Sequence, residues 1–187
     1  MEAVSKTSKI EKIIKLILIT IAGTILITIS AKVKIPFYPV PMTMQTFIVL
    51  FLGITLGPKI GLLTISLYLF EGIVGLPVFA GTPEKGIGLV YFAGPTMGYL
   101  IGFLIAVYFA GLFKYDKGPI NTFLKLIFSV SFIYIFGLIW LGLLIGWDKP
   151  IFKLGAEPFL LAELFKMLLL LFLTPTLLKA KKLIKII

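Results

Sequence analysis

The segment from Ala156 to Lys179 places two ionisable side chains inside an apolar run that is long enough to cross a bilayer. A helix needs about 20 apolar residues to span the hydrocarbon core. Because every backbone N–H and C=O must be bonded within the chain there, such a span folds as a helix. The whole chain is 59% hydrophobic, with a mean hydropathy of +1.12. These values exclude an ordinary soluble globule and indicate an all-α polytopic membrane protein.

Glu163 and Lys166 are the two ionisable residues in the interior of this segment, whereas Glu157 and Lys179 stand at its ends. Pro158 suits the first turn of a helix, because a missing N–H costs nothing there. Counted from Pro158 at about 1.5 Å per residue, Glu163 lies ~7 Å and Lys166 ~12 Å along the axis, below the membrane surface and on one helical face. Intramembrane charges usually point into a bundle or cavity and mark functional sites. The alternative is a self-neutralising ion pair, or a Lys166 that snorkels.

The residue types that are missing restrict the chemistry. All 18 basic residues are lysines, the formal net charge is +10, and the chain contains no Cys and no His. There is therefore no thiol nucleophile, no His general base and no usual set of zinc or haem ligands, so we predict a protein without cofactor that is not an enzyme. The lysines lie at predicted helix ends, which favours membrane topology and contact with anionic lipid over nucleic-acid binding.

Six transmembrane helices are predicted in a single domain of residues 1–187. Lysine-rich segments at the start of the first helix and after the last one place both termini in the cytoplasm under the positive-inside rule. The second and third helices are short and meet at a tight cytoplasmic turn, Gly57-Pro58-Lys59. The predicted helices cover residues 10–30, 43–56, 58–72, 95–113, 120–146 and 158–179.

Two external segments are rich in proline and glycine. Residues 31–44 contain three prolines, which deny the segment a helix and favour an ordered extended loop. Residues 74–93 form a second loop, long enough that a functional role is expected. Its run from Gly81 to Gly86 lacks the Lys-Ser/Thr pair of a Walker A motif, so we predict no ATPase site in this chain.

Two helices carry stripes of small residues. The 95–113 helix has Gly98, Gly102, Ala106 and Ala110 at intervals of four, which predicts close packing, favoured within the monomer over contact between subunits. The first helix carries a ridge of small side chains that serves internal packing or docking of a partner equally well. The ridge consists of Thr20, Ala22, Gly23, Thr24 and Thr28.

On this topology several polar and aromatic groups converge at the outer leaflet. Gln45, Tyr99, Trp140 and the 74–93 loop join the charged pair of the last helix there. Such a cavity would be apolar and aromatic with a few polar groups, the usual composition of a small-molecule site. A matching ligand has a compact apolar body, hydrogen-bond donors for a carboxylate or amide and an anionic group for Lys166, as in a vitamin with an acid tail.

Two polar and proline-rich runs carry a family resemblance. The run Pro39 to Thr46 reads P-V-P-x-T-x-Q-T, and Gly75 to Ala80 reads G-L-P-V-F-A. With these motifs the chain, from about residue 31 to 172, resembles the BioY family, the biotin-specific substrate-binding subunits (S components) of energy-coupling-factor (ECF) transporters. The resemblance implies a six-helix fold, high-affinity capture of biotin at the outer face, and partnership with a transmembrane coupling protein and two cytoplasmic ATPases.

The resemblance also implies a set of ligand contacts. The family's last helix usually has an aspartate three residues before a lysine, and the matching residues are Glu163 and Lys166. The extra methylene of glutamate moves the carboxylate by ~1.5 Å. One polar end of biotin would meet Lys166, while Glu163 would meet the other end or only the lysine. The further predicted contacts are Gln45, Thr43, Gly81, Phe79, Tyr99 and Trp140. Partner docking in this family commonly uses an A-x-x-x-A face, which the ridge of the first helix replaces here.

Three other functions stay open. The same fold could take a different vitamin. The charged pair could act as acid and base in an intramembrane enzyme, although the lack of His, Cys and a paired-carboxylate motif argues against it. The chain could also be an assembly protein that uses the small-residue stripe of the 95–113 helix and binds no ligand.

Overall fold

The computed structural model describes residues 2–36 and 38–183 as a bundle of helices with one short strand pair. The predicted single domain of residues 1–187 extends beyond the described residues at both ends. The elements are α1 (Glu2–Lys32), β1 (Lys34–Ile35), β2 (Met42–Thr43), α2 (Gln45–Ile73), α3 (Leu89–Phe92), α4 (Met97–Leu112), α5 (Gly118–Ile145), α6 (Ile151–Gly155), a 3-10 turn (Glu157–Phe159) and α7 (Leu160–Leu183).

The long helix α2 reverses direction at Gly57. This glycine has φ 78° and ψ 177°, a conformation outside the helical range that glycine adopts without a Cβ clash. Residues on the two sides of the turn face each other, because the Gln45 side-chain amide donates to the Tyr68 hydroxyl at 2.9 Å. A Cβ at Gly61 would likewise lie 3.6 Å from the Cα of Gly53. The tight turn predicted between helices 43–56 and 58–72 is therefore present inside this one element.

The helix α4 packs between α2 and α5 through its small residues. A Cβ at Gly98 would fall 2.2 Å from a backbone oxygen of α5, and a Cβ at Gly102 would fall 2.5 Å from a Cα of the same helix. On the other side, a Cβ at Gly53 of α2 would lie 2.8 Å from the Cβ of Ala110. Ala106 and Ala110 are fully buried. The predicted stripe therefore packs within the chain.

The helix α1 covers α2 with the ridge of small residues. Thr20 and Thr24 are buried, and a Cβ at Gly23 would lie 2.5 Å from a threonine side chain of α2. Both buried hydroxyls donate to carbonyls one turn earlier in α1, at 2.8 and 3.0 Å. Ala22 is exposed and Thr28 is half-buried. Of the two roles predicted for the ridge, Thr20, Gly23 and Thr24 serve internal packing and are not open to a partner.

The structure corrects the predicted boundaries near the loops. The last predicted helix, 158–179, begins as the 3-10 turn and continues as α7 to Leu183. The 74–93 loop ends in the short helix α3, and the 31–44 segment contains the antiparallel pair β1–β2, with Lys34 opposite Thr43. The strand pair joins residues seven to nine positions apart, and α3 and the 3-10 turn rest on bonds between residues three apart. Elements this short leave no hydrophobic period long enough to read from the sequence.

Candidate membrane-spanning segments occur throughout the described part of the chain. Four segments of the described residues are long and apolar enough to cross a membrane, and α4 is an additional apolar helix of 16 residues. The fold is therefore that of a multi-pass α-helical membrane protein. The four segments are Lys9–Lys32, Gln45–Ile73, Gly118–Ile145 and Ile151–Lys182.

Candidate ligand-binding site

A central cavity lies between α2, α4, α5 and α7, with walls completed by the 31–44 segment and the 74–93 loop. It contains about 530 Å³ of space that no atom occupies, including its open mouth. Most of its lining is apolar or aromatic with a few polar groups, as is usual for a small-molecule site. The lining residues are Val40, Pro41, Met42, Thr43, Gln45, Thr46, Ala80, Tyr91, Thr96, Tyr99, Leu100, Phe103, Ile133, Tyr134, Phe159, Glu163 and Lys166.

Glu163 and Lys166 form a buried ion pair in the wall of this cavity. The Lys166 Nζ lies 2.7 Å from the Glu163 Oε1, and the lysine and the glutamate are only 7% and 4% exposed. The ammonium also donates to the Thr43 carbonyl at 2.6 Å and to the Thr46 hydroxyl at 3.0 Å. A lysine ammonium has three N–H donors, so these three acceptors use all of them. The arrangement meets the requirement that a buried charge be paired and hydrogen-bonded.

Thr46 completes this polar cluster, although it was not predicted as a site residue. Its hydroxyl donates to the Glu163 Oε1 at 2.7 Å while it accepts from Lys166. The bonds from Thr46 and Lys166 both end on Oε1, and Oε2 takes part in neither. A signal was present in the sequence, because Thr43 and Thr46 are three residues apart at a predicted helix start and so share a face.

Tyr134 of α5 borders the cluster from the opposite side of the cavity. Its side chain interacts with the Glu163 carboxylate, which links α5 to α7 across the site. The phenol adds a further polar group beside the acid in a wall that is otherwise aromatic.

The cluster offers a ligand both a donor and an acceptor. A ligand oxygen that binds Lys166 must replace one of its three present acceptors, whereas a ligand N–H can approach the Oε2 of Glu163 without breaking either bond to Oε1. The ion pair carries no net charge, so it does not attract anions strongly as a whole. It selects a ligand mainly by the pattern of hydrogen-bond donors and acceptors that the ligand presents. Within residues 2–36 and 38–183, no three acidic side chains come close enough together to hold a metal ion.

Thr43 and Gln45 line the cavity as predicted, and both also hold its wall in place. The Thr43 hydroxyl donates to the Gln45 Oε1 at 3.2 Å, and the Gln45 Nε2 donates to the Tyr68 hydroxyl at 2.9 Å. The Tyr68 hydroxyl in turn donates to the Val78 carbonyl at 3.2 Å. This chain of bonds fixes the start of α2 relative to the 74–93 loop.

Tyr99 also lines the cavity as predicted. Its hydroxyl donates to the Gly155 carbonyl at 2.7 Å, which ties α4 to α6. Its ring meets the Tyr134 ring edge-on, with centroids 6.1 Å apart. The phenol of Tyr99 is thus engaged within the protein, and its ring is the part that faces the cavity.

Phe79, one of the predicted ligand contacts, lies outside the lining of the cavity. The ring is 1% exposed and stacks on Tyr91 with centroids 4.7 Å apart. It occupies a notch over Gly72, where any Cβ would lie 2.0 Å from the ring. This apolar notch accepts the ring completely, so Phe79 anchors the 74–93 loop on α2.

Trp140 and Gly81 also lie outside the lining of the cavity. The Trp140 indole N–H donates to the Gly94 carbonyl at 2.9 Å, which ties α5 to the segment before α4. A buried indole N–H requires such a partner, and this one lies away from the cavity. Gly81 has φ +79°, and a Cβ there would lie 2.9 Å from the Lys85 side chain. Its contribution is to the shape of the loop.

Four aromatic residues of the lining were not predicted from the sequence. The Tyr91 hydroxyl donates to the Ala80 carbonyl at 2.9 Å. Burial raises the pKa of Tyr91, against an opposing contribution from its hydrogen bond with Thr96, so the hydroxyl remains a donor at neutral pH. Helical spacing alone does not distinguish these residues from the many other aromatics of the chain. The four are Tyr91, Phe103, Tyr134 and Phe159.

A second, more open cavity lies beside β2, facing α7. It contains about 800 Å³ of empty space and is lined mainly by apolar side chains. The two cavities share Met42, Thr43 and Lys166, so strand β2 and the lysine separate them.

Known proteins resemble this chain in sequence and in fold. A sequence model of the BioY family matches residues 3–183. The chain is 38% identical over 141 residues to the probable biotin transporter BioY of Pyrococcus horikoshii, covering 75% of this chain and 82% of the relative. It is 34% identical over 145 residues to the biotin transporter BioY of Thermotoga maritima, covering 77% and 84%.

A solved structure supports the same relationship. The fold is similar to the crystal structure of the S-component for biotin from an ECF-type ABC transporter, with a TM-score of 0.76 and 25% identity. The similarity covers 90% of this chain and 93% of that protein.

Proposed function

The chain belongs to the BioY family, and we propose from this premise that it is the S component that captures biotin for an ECF transporter. The observation that carries the proposal is the buried cluster of Lys166, Glu163 and Thr46 in the wall of an otherwise apolar and aromatic cavity. Biotin combines a compact apolar bicycle with a ureido group and a carboxylate, and this cavity offers surfaces for each.

The ureido end of biotin matches the charged pair better than the carboxylate end does. A ureido group presents an N–H beside a C=O, so it can donate to Glu163 and accept from Lys166 at the same time. A ligand carboxylate can only accept, and it would be repelled by Glu163. We therefore place the ureido ring at the cluster, the bicycle against Tyr99 and its neighbours, and the acid tail toward the mouth.

Calorimetric titration of the purified chain in detergent tests the proposed substrate. We expect tight binding of biotin and no measurable binding of thiamin, riboflavin or niacin at the same concentrations. Absence of tight biotin binding, or preference for another of these vitamins, would reject biotin as the substrate.

The orientation is tested with two biotin derivatives. Biotinamide keeps the ureido group and loses the acid, so its affinity should stay within about tenfold of that of biotin. Iminobiotin replaces the ureido carbonyl by a cationic group at neutral pH, and its affinity should fall by at least about a hundredfold because it opposes Lys166. A larger loss of affinity for biotinamide than for iminobiotin would place the acid tail at the cluster.

We further propose six membrane spans, in which the two halves of α2 count separately, with both termini in the cytoplasm. The lysine distribution supports this orientation. Because the chain has no Cys, single cysteines report on sidedness directly. A membrane-impermeant maleimide should label Lys149→Cys in intact cells and should label Lys59→Cys only after permeabilisation. The opposite pattern would invert the topology.

Uptake against a gradient would need a transmembrane coupling protein and two ATPases as partners. We propose that the coupling protein docks on the exposed face of α1, where Ala22 lies beside Ile21 and Ile25, which are 43% and 55% exposed. A small residue between two larger apolar ones lets a partner helix approach closely at that point.

A bulky substitution at Ala22 tests this docking face. Ala22→Trp should abolish co-purification with the coupling protein while leaving biotin binding intact. Ile127→Trp, at an exposed position of α5, is the matched control and should co-purify normally. Co-purification of Ala22→Trp at the level of the unmodified chain would reject this docking face.

A further inference from the structure

Lys32, the last residue of α1, is bonded to the 74–93 loop across a large distance in sequence. Its Nζ donates to the Pro77 carbonyl at 2.7 Å, to the Phe79 carbonyl at 3.0 Å and to the Thr82 hydroxyl at 3.0 Å. The Thr82 carbonyl lies 3.4 Å from the same nitrogen. One ammonium therefore gathers oxygens from three residues of one short backbone segment.

This segment, residues 77–82, forms part of the wall of the central cavity, because Ala80 lines it. Two other carbonyls of this segment, those of Val78 and Ala80, accept hydrogen bonds from other side chains. Tyr68 donates to the Val78 carbonyl and Tyr91 donates to the Ala80 carbonyl. Tyr68 lies in α2, which precedes the loop, and Tyr91 lies in α3, with which the loop ends. Lys32 differs from them because it comes from α1.

Lys32 also stands directly before the strand pair β1–β2, whose residues Met42 and Thr43 line the central cavity. Because Lys32 is bonded to the loop, the loop lies close to the start of the strand pair. Burial, followed by the positive charge of Lys34 in β1, lowers the pKa of Lys85 in the loop. The bonds of Lys32 therefore join the two external segments that border the cavity.

A lysine suits this position chemically. Its ammonium has three donors that can rotate toward converging carbonyls, and hydrogen bonds from a charged donor are stronger than neutral ones. The side chain is nevertheless accessible to solvent, so its bonds contribute less than buried ones would.

We propose that Lys32 is a positioning residue for ligand retention, which holds the 77–82 segment against the end of α1 and so slows the release of biotin from the central cavity. The inference rests on the proposed function, since it names biotin as the retained ligand. Lys32 acts through the loop backbone and needs no contact with biotin itself.

The test compares Lys32→Met, which keeps most of the length of the side chain and removes its donors, with Lys32→Arg, which keeps donors and charge. Lys153→Met, an exposed lysine of α6, is the control. The dissociation rate of labelled biotin from the detergent-purified chains is measured after a chase with unlabelled biotin. We expect it to rise about fivefold in Lys32→Met, with partial or full rescue in Lys32→Arg and no change in the control.

Hydrogen exchange of the amides of residues 78–86 gives a second readout that needs no ligand. Exchange should accelerate in Lys32→Met and stay normal in the control. Unchanged release and exchange in a Lys32→Met chain that binds biotin would overturn the retention role alone. A rise in the dissociation rate that is as large in Lys32→Arg as in Lys32→Met would also count against this role. Failure of the unmodified chain to bind biotin would overturn the proposed function, and the retention role with it.

Discussion

Replacing Lys166 by methionine separates the structural role of the buried pair from its role in binding. Methionine keeps most of the length of the lysine side chain and removes its charge and donors. The substitution leaves the Glu163 carboxylate, which is 4% exposed, with only the neutral hydroxyl groups of Thr46 and Tyr134 beside it in the cluster. It also leaves the Thr43 carbonyl without its 2.6 Å donor.

The expected cost in stability follows from these losses. Removing one partner of a buried ion pair typically costs about 3–5 kcal/mol, because the other charge stays buried. Replacing both charges by neutral residues of similar size is often neutral or stabilising. The double variant Glu163→Gln/Lys166→Met should therefore recover most of the stability that Lys166→Met loses.

Binding should not recover in the same way. The double variant still lacks the ammonium that we propose donates to the ureido carbonyl, and truncation of a buried charged contact costs about 2–5 kcal/mol of binding energy, or at least about a thirtyfold loss of affinity. Thermal unfolding in detergent measures the change in stability, and calorimetric titration with biotin measures the change in affinity. The unmodified chain and the single variant Glu163→Gln complete the cycle.

Two results would refute this reasoning. Biotin affinity restored in the double variant would mean that the pair only supports the fold and makes no contact with the ligand. Equal melting temperatures of Lys166→Met and the unmodified chain would mean that the pair is not coupled as its 2.7 Å separation requires.

Three further predictions concern residues around the cavity. Trp140→Phe should leave biotin affinity within about twofold in calorimetric titration, because the indole bonds a carbonyl outside the cavity lining; a large loss would place the indole at the ligand. Gly72→Ala should lower the melting temperature and weaken biotin binding, since the new Cβ would lie 2.0 Å from the Phe79 ring and must displace it. An unchanged melting temperature would contradict the close packing of the Phe79 ring over Gly72. Tyr99→Phe loses the bond to Gly155 and should cost about 1 kcal/mol in unfolding while biotin affinity changes little; a large loss of affinity would show that the hydroxyl contacts the ligand.

The helical content of this fold could be predicted from the apolar runs, because a bilayer admits few alternatives for such segments. The reversal at Gly57 could also be predicted, since glycine followed by proline breaks one helix and suits the start of another. The short elements β1, β2 and α3 could not. They are two to four residues long, too short to show the hydrophobic period of a strand or a helix.

Some features of the candidate site could likewise be predicted from the sequence, and others could not. Glu163 and Lys166 could be identified because a charge in a membrane-spanning run is costly and needs a reason. The positions of Phe79 and Trp140 outside the cavity lining could not be predicted, because an aromatic ring packs wherever a notch or a hydrogen-bond acceptor is available. Here the notch over Gly72 and the carbonyl before α4 decided their positions.

The geometry of the cluster bears on why a glutamate can stand where the family resemblance implies an aspartate. The Glu163 carboxylate reaches both Thr46 and Lys166 through a single oxygen, Oε1, at 2.7 Å each. A shorter side chain would withdraw that oxygen by ~1.5 Å unless the backbone moved. Because one oxygen maintains the ion pair, the other takes no part in it. The same residue can therefore steady Lys166 and accept an N–H from the ligand, so the two roles considered for Glu163 are compatible.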